Sequence, residues 1–515
     1  MSAAAPAAAA ATAPVFNSRL AVGLLGVLVA AMMAGLANRV PGLVLADVQG
    51  GLGFARDDIS WLATTFSAGE LAAMPFAAWF AITLSMRRFL VTMLVLSLAL
   101  SAIIPWVHDL PLLLLLRTLQ GVFAGALIPV LMMAALRFLP APIRLHGLAL
   151  FAMTATLSPN IAFWLGALSV EYFADWRWVY WHAIPLQLLA MVMIAWGIPD
   201  MPAMLHRLKQ ANWFGMLLGI PGLMLIVVGI DQGVRLDWFH SPIIVAALLV
   251  GLVFTVLYLT SEWLHPAPFV QFGFLKRRNI WLGFITMMLL MVAMSTAVSL
   301  PTNILGRLHG FRIEQSASLG LMVGLPQLFL GSCVALLLYQ RWIDARHTFA
   351  LGLACMAGAC WFASGVTSEW MVQQFQWATV LHIVGQPLAM VSMLFLVVSV
   401  VQPMEGPFFA GLVNIVRVFS TILGGAFTGQ LMMVRGQFHT ETLIGGAAQS
   451  TFALPHFGLT QEQLAATIAR QADTLAGADV FRVIGLLVLL LIPVVLALKH
   501  IPAPVLPPSS SRQPS

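Results

Sequence analysis

The chain has 515 residues; 60% of them are hydrophobic, only 9% are charged, and the mean hydropathy is +0.94. A water-soluble protein carries roughly a quarter charged residues, so this composition excludes a soluble globular protein and is typical of a chain that lies in lipid. The basic residues behind the net charge of +6 are scattered singly or in pairs, which argues against a nucleic-acid-binding surface.

Long apolar runs recur along the chain, and each is long enough to cross about 30 Å of hydrocarbon as a helix. The strand-length alternation of apolar and polar residues that a transmembrane barrel needs is missing from the sequence. Fourteen membrane-spanning helices are predicted, at residues 20–46, 59–84, 88–107, 111–137, 146–170, 178–198, 213–231, 242–261, 280–303, 316–339, 348–365, 376–401, 408–433 and 480–499. An even number of spans places both termini on the same side of the membrane.

The distribution of arginine and lysine predicts that this side is the cytoplasm. With the termini inside, and with residues at span ends counted with the adjoining segment, cytoplasmic segments hold fourteen of the twenty-five basic residues, external segments hold eight, and three lie deeper within spans. Short cytoplasmic loops of membrane proteins carry an excess of basic residues. The Ala/Pro-rich start and the Pro/Ser-rich end of the chain are predicted to be disordered cytoplasmic tails.

Four charged residues fall inside predicted spans rather than at their ends, namely Arg39, Glu70, Arg117 and Arg417. A charge at membrane depth costs several kcal/mol unless it is paired or hydrated, so each of them is a candidate functional residue. Glu70 lies in the run TTFSAGELAAMPFAAWF, which contains no basic residue. For Arg117, snorkelling of the guanidinium to the lipid head groups is an alternative that the sequence leaves open.

Arg39 and Glu70 are predicted to lie at similar depths in the membrane. Counting 1.5 Å per helical residue puts Arg39 about 12 Å and Glu70 about 16 Å below the outer surface. The first and second spans are antiparallel neighbours, so an ion pair between these two residues is geometrically allowed. Burial and a nearby arginine have opposite effects on the charge of a carboxyl group.

The fourth span reads LLLLLRTLQGVFAGALIPV, and its polar and small residues share one helical face. Arg117, Gln120, Gly121 and Gly125 stand at positions i, i+3, i+4 and i+8. The glycines would let a neighbouring helix approach closely, and the two polar side chains would donate hydrogen bonds into the same interior. This stretch resembles the R-x-x-Q-G signature of major facilitator proton antiporters, in which the arginine is associated with proton coupling.

A second resemblance is more particular. Residues 225–244, LIVVGIDQGVRLDWFHSPII, and 274–283, FLKRRNIWLG, resemble the inserted helix pair of the fourteen-helix drug:proton antiporters, the EmrB/QacA-type exporters. Asp231 and Asp237 match the family pattern at the outer hairpin, where we expect them to serve structure or gating. The segment NIVR at 414–417 resembles the family's N-x-x-R motif.

Three departures mark the chain as a divergent member. Ile82 stands where the family has the aspartate of its G-x-L-a-D-r-x-G loop, and in the fifth span only Pro159 and Gly166 are left as kinked or flexible points. The first span lacks the family's acidic residue and contains Arg39 instead. Glu70 is therefore expected to replace that acid as the protonation switch of a proton antiporter. A static Arg39–Glu70 pair that only joins two helices is the alternative.

The resemblance implies an all-α polytopic membrane protein with the major facilitator fold, in which two six-helix bundles are joined by two inserted central helices. The implied segments are a tail at 1–19, an N-terminal bundle at 20–200, the inserted pair and its linkers at 201–279, a C-terminal bundle at 280–500, and a tail at 501–515.

A long external loop is expected at 434–479, and it is predicted to carry an amphipathic helix. Leu464, Ile468 and Ala472 recur there at helical spacing with polar residues between them. In EmrB-like systems of double-membraned bacteria, a periplasmic adaptor protein and an outer-membrane channel assemble with the exporter. The resemblance therefore implies that this loop helps to dock an adaptor; a solvated loop packed on its own protein is the alternative.

The resemblance also implies proton-coupled export of amphipathic drugs or toxic small molecules across the cell inner membrane, without a cofactor. The candidate proton-coupling residues are Glu70, Arg39 and Arg117, and the candidate substrate-cavity residues are Gln120, Phe163, Trp164, Asn414 and Arg417. The sequence has no metal-spaced cluster, nucleophile motif or phosphate-binding loop, so no catalytic or metal-binding residue is predicted. Export of a specific metabolite or siderophore-like compound, or a non-transporting sensor or scaffold, stays open.

Overall fold

The computed structural model of the protein describes residues 16–449 and 460–504. Most of both predicted tails, residues 1–15 and 505–515, lies outside these ranges. Within them the chain forms seventeen α-helices and no β-strand. The predicted all-helical architecture is confirmed.

The helices fall into a first half, an inserted pair and a second half, in chain order. The first half comprises α1 (Ser18–Leu43), α2 (Leu45–Leu52), α3 (Arg56–Leu84), α4 (Met86–Ile103), α5 (Leu110–Phe138), α6 (Ala141–Ala167), α7 (Trp178–Trp181) and α8 (Ile184–Gly197). The inserted pair is α9 (Trp213–Asp231) and α10 (Pro242–Leu264). The second half comprises α11 (Arg278–Met294), α12 (Ser299–His309), α13 (Ile313–Leu338), α14 (Ala345–Ala363), α15 (Val372–Val398), α16 (Gly406–Gln449) and α17 (Gln461–Leu496).

Thirteen helical segments in the described part of the chain are long and apolar enough to cross a membrane. The fourteenth predicted span, 348–365, corresponds to α14, which has 19 residues and packs against α15 and α17. Arg346 and His347 lie in its first turn and lower its mean hydropathy. The exact number of fourteen spans therefore stays a prediction.

The predicted span 280–303 is not one continuous helix, because the chain breaks between α11 and α12 at Ser295–Val298. The Ser295 hydroxyl donates a hydrogen bond to Val292 O at 2.7 Å, and the Thr296 hydroxyl donates one to Ala293 O at 2.6 Å. Side-chain bonds of this kind compete with the backbone bonds of a helix. The break was not visible in the hydropathy pattern.

The segment at 434–479, predicted as a long external loop, is helical in its described part, because the last two helices run through it. Helices α16 and α17 have 44 and 36 residues, or about 66 and 54 Å, against about 30 Å of hydrocarbon. Thr460 and Gln463 form a capping box that starts α17 well before the membrane. The predicted apolar face belongs to this extension, in which Leu464 and Ile468 are half-buried and Ala472 is buried.

We call the end of the molecule at which α1 begins and α17 ends the terminal face. Arg19 in α1 donates a hydrogen bond to Trp196 O, at the end of α8, at 2.7 Å. Asn279 at the start of α11 bonds to both backbone groups of Lys499, just after α17, at 2.8 and 3.1 Å. Hydrogen bonds thus tie the first and last helix ends of each half together at this face.

Helix α9 of the inserted pair contacts one helix from each half, α3 and α16. Val227 packs there in a small apolar cluster with Ala68 and Leu71 of α3 and with Ile415 and Val418 of α16. The inserted pair therefore covers one side of the seam between the two halves.

Helices α3 and α5 approach each other so closely that only glycine fits at three positions. A Cβ atom added to Gly69 would lie 2.2 Å from Thr118 O, one on Gly121 would lie 2.1 Å from Phe66 O, and one on Gly125 would lie 2.3 Å from Glu70 O. This contact fixes the helix that carries Glu70 against the helix that carries Arg117.

Replacing Gly121 by alanine should therefore destabilise the protein. The new methyl group forces the two backbones apart, and overpacking of this kind costs ~1–3 kcal/mol. Thermal unfolding followed by fluorescence-detected size exclusion is expected to show a lower midpoint for Gly121→Ala. Gly425→Ala is the matched control, because no atom lies within 4 Å of its added Cβ. Equal midpoints for the two variants would contradict the packing argument.

Candidate functional site

Arg117 is the most buried charged residue of the site, with a relative exposure of 1%. Its guanidinium donates hydrogen bonds to Gln120 Oε1 at 2.6 Å, Asn38 Oδ1 at 3.0 Å, Ala37 O at 3.3 Å and Leu62 O at 3.4 Å. These acceptors come from α1, α3 and α5. Arg117 therefore joins three helices inside the first half, and the snorkelling alternative is wrong.

The charge of Arg117 is balanced by neutral groups, since it forms no salt bridge in the described part of the chain. Its guanidinium carbon lies 4.7 Å from the ring centroid of Phe66 and 5.5 Å from that of Tyr180. The acceptors are themselves held, because Gln120 donates to Ser101 Oγ at 2.9 Å and Asn38 donates to Ser67 Oγ at 2.8 Å. The arrangement suits a fixed positive charge that organises the polar interior.

Glu70 lies on α3 with a relative exposure of 8%, and its carboxylate forms no hydrogen bond or salt bridge with any described residue. Arg39 and Arg417 act on it electrostatically from α1 and α16, but neither guanidinium is within ion-pair distance. Arg39 donates instead to Gly35 O of its own helix at 3.1 Å. The three charged groups thus form a loose cluster without a direct Arg39–Glu70 pair.

Arg417 links the second half to the first. Its guanidinium donates a hydrogen bond to Thr154 Oγ1 of α6 at 2.6 Å and lies 5.6 Å from the ring centroid of Phe151 on the same helix. A second bond crosses the seam where Asn160 of α6 donates to Gln386 Oε1 of α15 at 3.2 Å. Helix α6 therefore presents polar side chains to both α15 and α16.

Asn414 lies one turn before Arg417, and it is fully buried. Its Nδ2 donates a hydrogen bond to Ala410 O of its own helix at 2.8 Å. Its Oδ1 has no partner within the described residues. Asn414 is thus a buried polar side chain with a free acceptor beside the charged cluster.

At the terminal face the two halves diverge and enclose a cavity of about 1110 Å³. Its walls come from α3, α5 and α6 of the first half, α15 and α16 of the second half, the linkers on either side of the inserted pair, and the chain after α17. None of the predicted substrate-cavity residues lines it; these are Gln120, Phe163, Trp164, Asn414 and Arg417. The cavity forms where the helix ends spread apart, which hydropathy does not reveal.

The predicted cavity residues lie deeper or at the seam. Phe163 packs against α13, where its Cβ is 3.0 Å from the position of a Cβ added to Gly320. Its neighbour Trp164 is half-buried. Pro159 lies inside α6, and a Cβ added to Gly166 would be in ordinary contact with Val44, at 3.4 Å.

The opposite face is closed. Arg312, which precedes α13, forms an ion pair with Asp47 of α2 at 2.6 Å, so the two halves are joined at that end. Helices α6 and α13 pack along the same seam. The two halves are therefore apart at the terminal face and in contact at the other.

The outer hairpin of the inserted pair is bonded to both halves. Asp231 accepts a short hydrogen bond from Thr64 of α3, and Trp238 donates one to Gln430 of α16 at 2.7 Å. Asp237 has a φ of 59°, in the left-handed region, and pairs with His240 at 3.2 Å. Asp231 thus connects the inserted pair to the helix that carries Glu70, whereas Asp237 shapes the turn.

Asp200, the carboxylate partner of Arg88, was not predicted from the sequence. Asp200, in the linker between α8 and α9, accepts hydrogen bonds from Arg88 at 2.9 Å and from Ser85 at 3.0 Å. These bonds, that of Arg88 foremost, hold the pKa of the Asp200 carboxyl below its usual range. Asp200 thus supplies a carboxylate to the loop in which Ile82 replaces the expected aspartate, and nothing in its local sequence indicates this.

Thr154, Asn160 and Gln386 were also missed as members of the seam. Their signal was present, because each is a polar residue inside an apolar span and therefore costs free energy unless it is hydrogen-bonded. Sequence alone did not reveal that they bond across the two halves.

Comparison with known proteins gives the family. A model described as Major Facilitator Superfamily matches residues 27–425. The multidrug export protein EmrB of Escherichia coli is 22% identical over 481 residues, which cover 89% of this chain and 90% of that protein. The colistin resistance protein EmrB of Acinetobacter baumannii is 24% identical over 387 residues, 74% of each chain. The fatty acid resistance protein FarB of Neisseria gonorrhoeae is 24% identical over 504 residues, 94% of this chain and 96% of that protein.

Two solved structures share the fold at low sequence identity. The human organic anion transporter MFSD10 superposes with a TM-score of 0.56 and 12% identity, covering 91% of this chain and 99% of that chain. A transporter of the POT family, solved with a thioalcohol-conjugated peptide, superposes with a TM-score of 0.57 and 16% identity, covering 92% and 96%. Together with the helical fold, these matches show that the chain belongs to the major facilitator superfamily, as a multi-pass membrane transporter that is a divergent relative of the EmrB-type exporters.

Proposed function

We propose that this transporter exports amphipathic drugs or toxic small molecules in exchange for protons. The observation that carries the proposal is Glu70, a buried carboxylate near the seam between the two halves that has no bonded partner among the described residues. Relatives named for multidrug export, colistin resistance and fatty acid resistance support export of amphipathic compounds.

Proton coupling follows from the electrostatics around Glu70. An ionised Glu70 attracts Arg417, which is at present bonded to Thr154 of the first half. A proton on Glu70 removes that attraction and leaves Arg417 to its neutral partner. Since α3 and α16 belong to different halves, the protonation state of Glu70 changes the relative free energies of the two rocking states.

The static alternative predicts a direct Arg39–Glu70 ion pair, and the absence of such a pair from the described chain favours the switch. Export of a specific metabolite or siderophore-like compound uses the same mechanism and differs only in substrate. A sensor or scaffold would lack counterflow in proteoliposomes.

The Glu70→Gln variant should retain counterflow and lose gradient-driven pumping. Glutamine keeps the shape of the side chain and cannot titrate, so substrate exchange continues while coupling to protons is lost. The measurement is substrate accumulation in proteoliposomes with and without an imposed pH gradient. Glu441→Gln is the control, because Glu441 is exposed on the extension of α16. The switch is refuted by a folded Glu70→Gln protein that still pumps with normal pH dependence.

We also propose that the protein lies in the cell inner membrane with the terminal face in the cytoplasm, as the arginine and lysine distribution predicts. In a variant in which Cys333, Cys355 and Cys360 are replaced, a single cysteine at Gln461 should react with an impermeant maleimide added to spheroplasts. A single cysteine at Ser2 should react only after lysis. Equal labelling of both sites in intact spheroplasts would overturn this orientation.

The extensions of α16 and α17 support a docking role for a periplasmic adaptor protein and an outer-membrane channel. Asp479 pairs with Arg435 at 2.6 Å and with His439 at 2.8 Å, which holds the two extensions together. Beyond His439 the described part of α16 continues for about 15 Å, and α17 runs for about 27 Å before it reaches Asp479. Ile444 lies on the extension of α16, and 53% of it is exposed.

Ile444→Glu should therefore weaken adaptor binding without changing the transporter itself. A charge replaces an exposed apolar contact, and burying an unpaired charge in an interface costs free energy. The measurement is co-elution with an EmrB-type adaptor co-expressed in the same cells. Gln437→Glu, which adds a charge to the same helix without removing apolar surface, is the control. Unchanged co-elution in the Ile444 variant would remove the docking role.

A further inference from the structure

The cavity at the terminal face contains three arginines, Arg137 at the end of α5, Arg144 in α6 and Arg207 in the linker before α9. None of them forms a salt bridge in the described part of the chain. Arg137 donates to Met201 Sδ at 3.2 Å, Arg144 donates to Leu139 O at 3.4 Å, and Arg207 lies over the Trp79 ring, 5.2 Å from its centroid.

Some of the other arginines near this face have carboxylate partners, although Arg19 donates only to the Trp196 carbonyl. Arg277 pairs with Glu405 at 2.6 Å, and Arg346 pairs with Asp344 at 2.6 Å. Arg207 is half-buried, so its guanidinium gains more from an anionic partner than those of the exposed Arg137 and Arg144. The arginines that line the cavity are free to bind an anion from outside the chain.

The rest of the cavity is apolar or neutral. Its apolar wall includes Met133, Leu148, Phe395 and Phe408, and no aspartate or glutamate is among the described residues that line it. A volume of about 1110 Å³ accommodates a small-molecule ligand with an extended apolar part. The cavity therefore matches a molecule with an anionic head group and an apolar body.

Further positive charge lies deeper in the same seam. Arg417 is about 14 Å along α16 from Phe408 at the cavity wall, and Glu70 is about 18 Å along α3 from Ile82. Arg39 and Arg417 outnumber the single carboxylate of that cluster, Glu70. The charges beyond the cavity therefore do not oppose the entry of an anion.

We propose that this cavity is a capture site for amphipathic anions, in which Arg137, Arg144 and Arg207 bind a carboxylate or sulfonate head group and the apolar wall holds the body. The assignment rests on the proposed export function, for which it names the substrate class. Arg207 belongs to a linker of the inserted pair, so that pair also contributes to substrate selection.

The test compares two fluorescent probes that share one anilinonaphthalene skeleton, anionic 1-anilinonaphthalene-8-sulfonate and neutral N-phenyl-1-naphthylamine. The full chain is placed in phosphatidylcholine nanodiscs, and the signal of empty nanodiscs is subtracted. Arg207→Gln should weaken sulfonate binding about tenfold, the effect of losing one charged hydrogen bond, and leave binding of the neutral probe unchanged. Lys209→Gln is the matched control, two residues away and outside the cavity.

Two further arms keep the result interpretable. Arg207→Lys preserves the charge and should recover part of the sulfonate affinity, which an altered fold would not do. Phosphatidylglycerol is also added to the nanodiscs as a competitor. If lipid head groups reach the site, this lipid should weaken sulfonate binding to the unmodified protein but not to Arg207→Gln. The proposal is overturned if Arg207→Gln changes both probes equally or neither, or if Lys209→Gln has the same effect.

Binding is measured without a proton gradient, so the proposal of a capture site and the proposal of an export function are tested independently. Selective sulfonate binding without pumping would sink the export function alone. Proton-driven pumping with binding that ignores charge would sink the capture site alone.

Discussion

A guanidinium buried away from water must have its N–H groups satisfied by the protein, and Arg117 imposes this requirement on the whole first half. Its acceptors lie on α1, α3 and α5, so these helices can neither slide nor rotate without leaving a buried charge unsolvated. The glycines at 69, 121 and 125 complete the constraint by letting α3 and α5 touch along their backbones. Glu70 sits in that contact, so its position depends on the same packing.

The seam between the halves combines close helix packing with hydrogen bonds between side chains. Helices α6 and α13 come so near each other that a Cβ atom added to Gly320 would lie 2.4 Å from Asn160 O. Hydrogen bonds also cross the seam, from Arg417 to Thr154 and from Asn160 to Gln386. A rotation of one half against the other would break these bonds and separate this contact.

The inserted pair adds a third element that touches both halves. It packs at the membrane level through Val227, bonds to α3 and α16 through its outer hairpin, and sends its linkers into the cavity at the terminal face. Asp200, in one of these linkers, supplies a carboxylate to the loop after α3, whose sequence lacks the aspartate of the family motif. A residue that is missing from one motif can thus be replaced from a distant part of the chain.

The sequence by itself determined the membrane location, the helical class, most of the span positions and the family, because the hydrophobic cost of crossing a bilayer acts on every residue of a span in turn. It also identified the four charges at membrane depth, since each is expensive wherever it points. Only the tertiary structure decided where those charges point. It buried Arg117 among neutral acceptors, separated Arg39 from Glu70 and turned Arg417 toward Thr154. The break after α11, the extensions of the last two helices and the arginine-lined cavity were likewise decided by packing between helices, and hydropathy carries no record of which side chains meet.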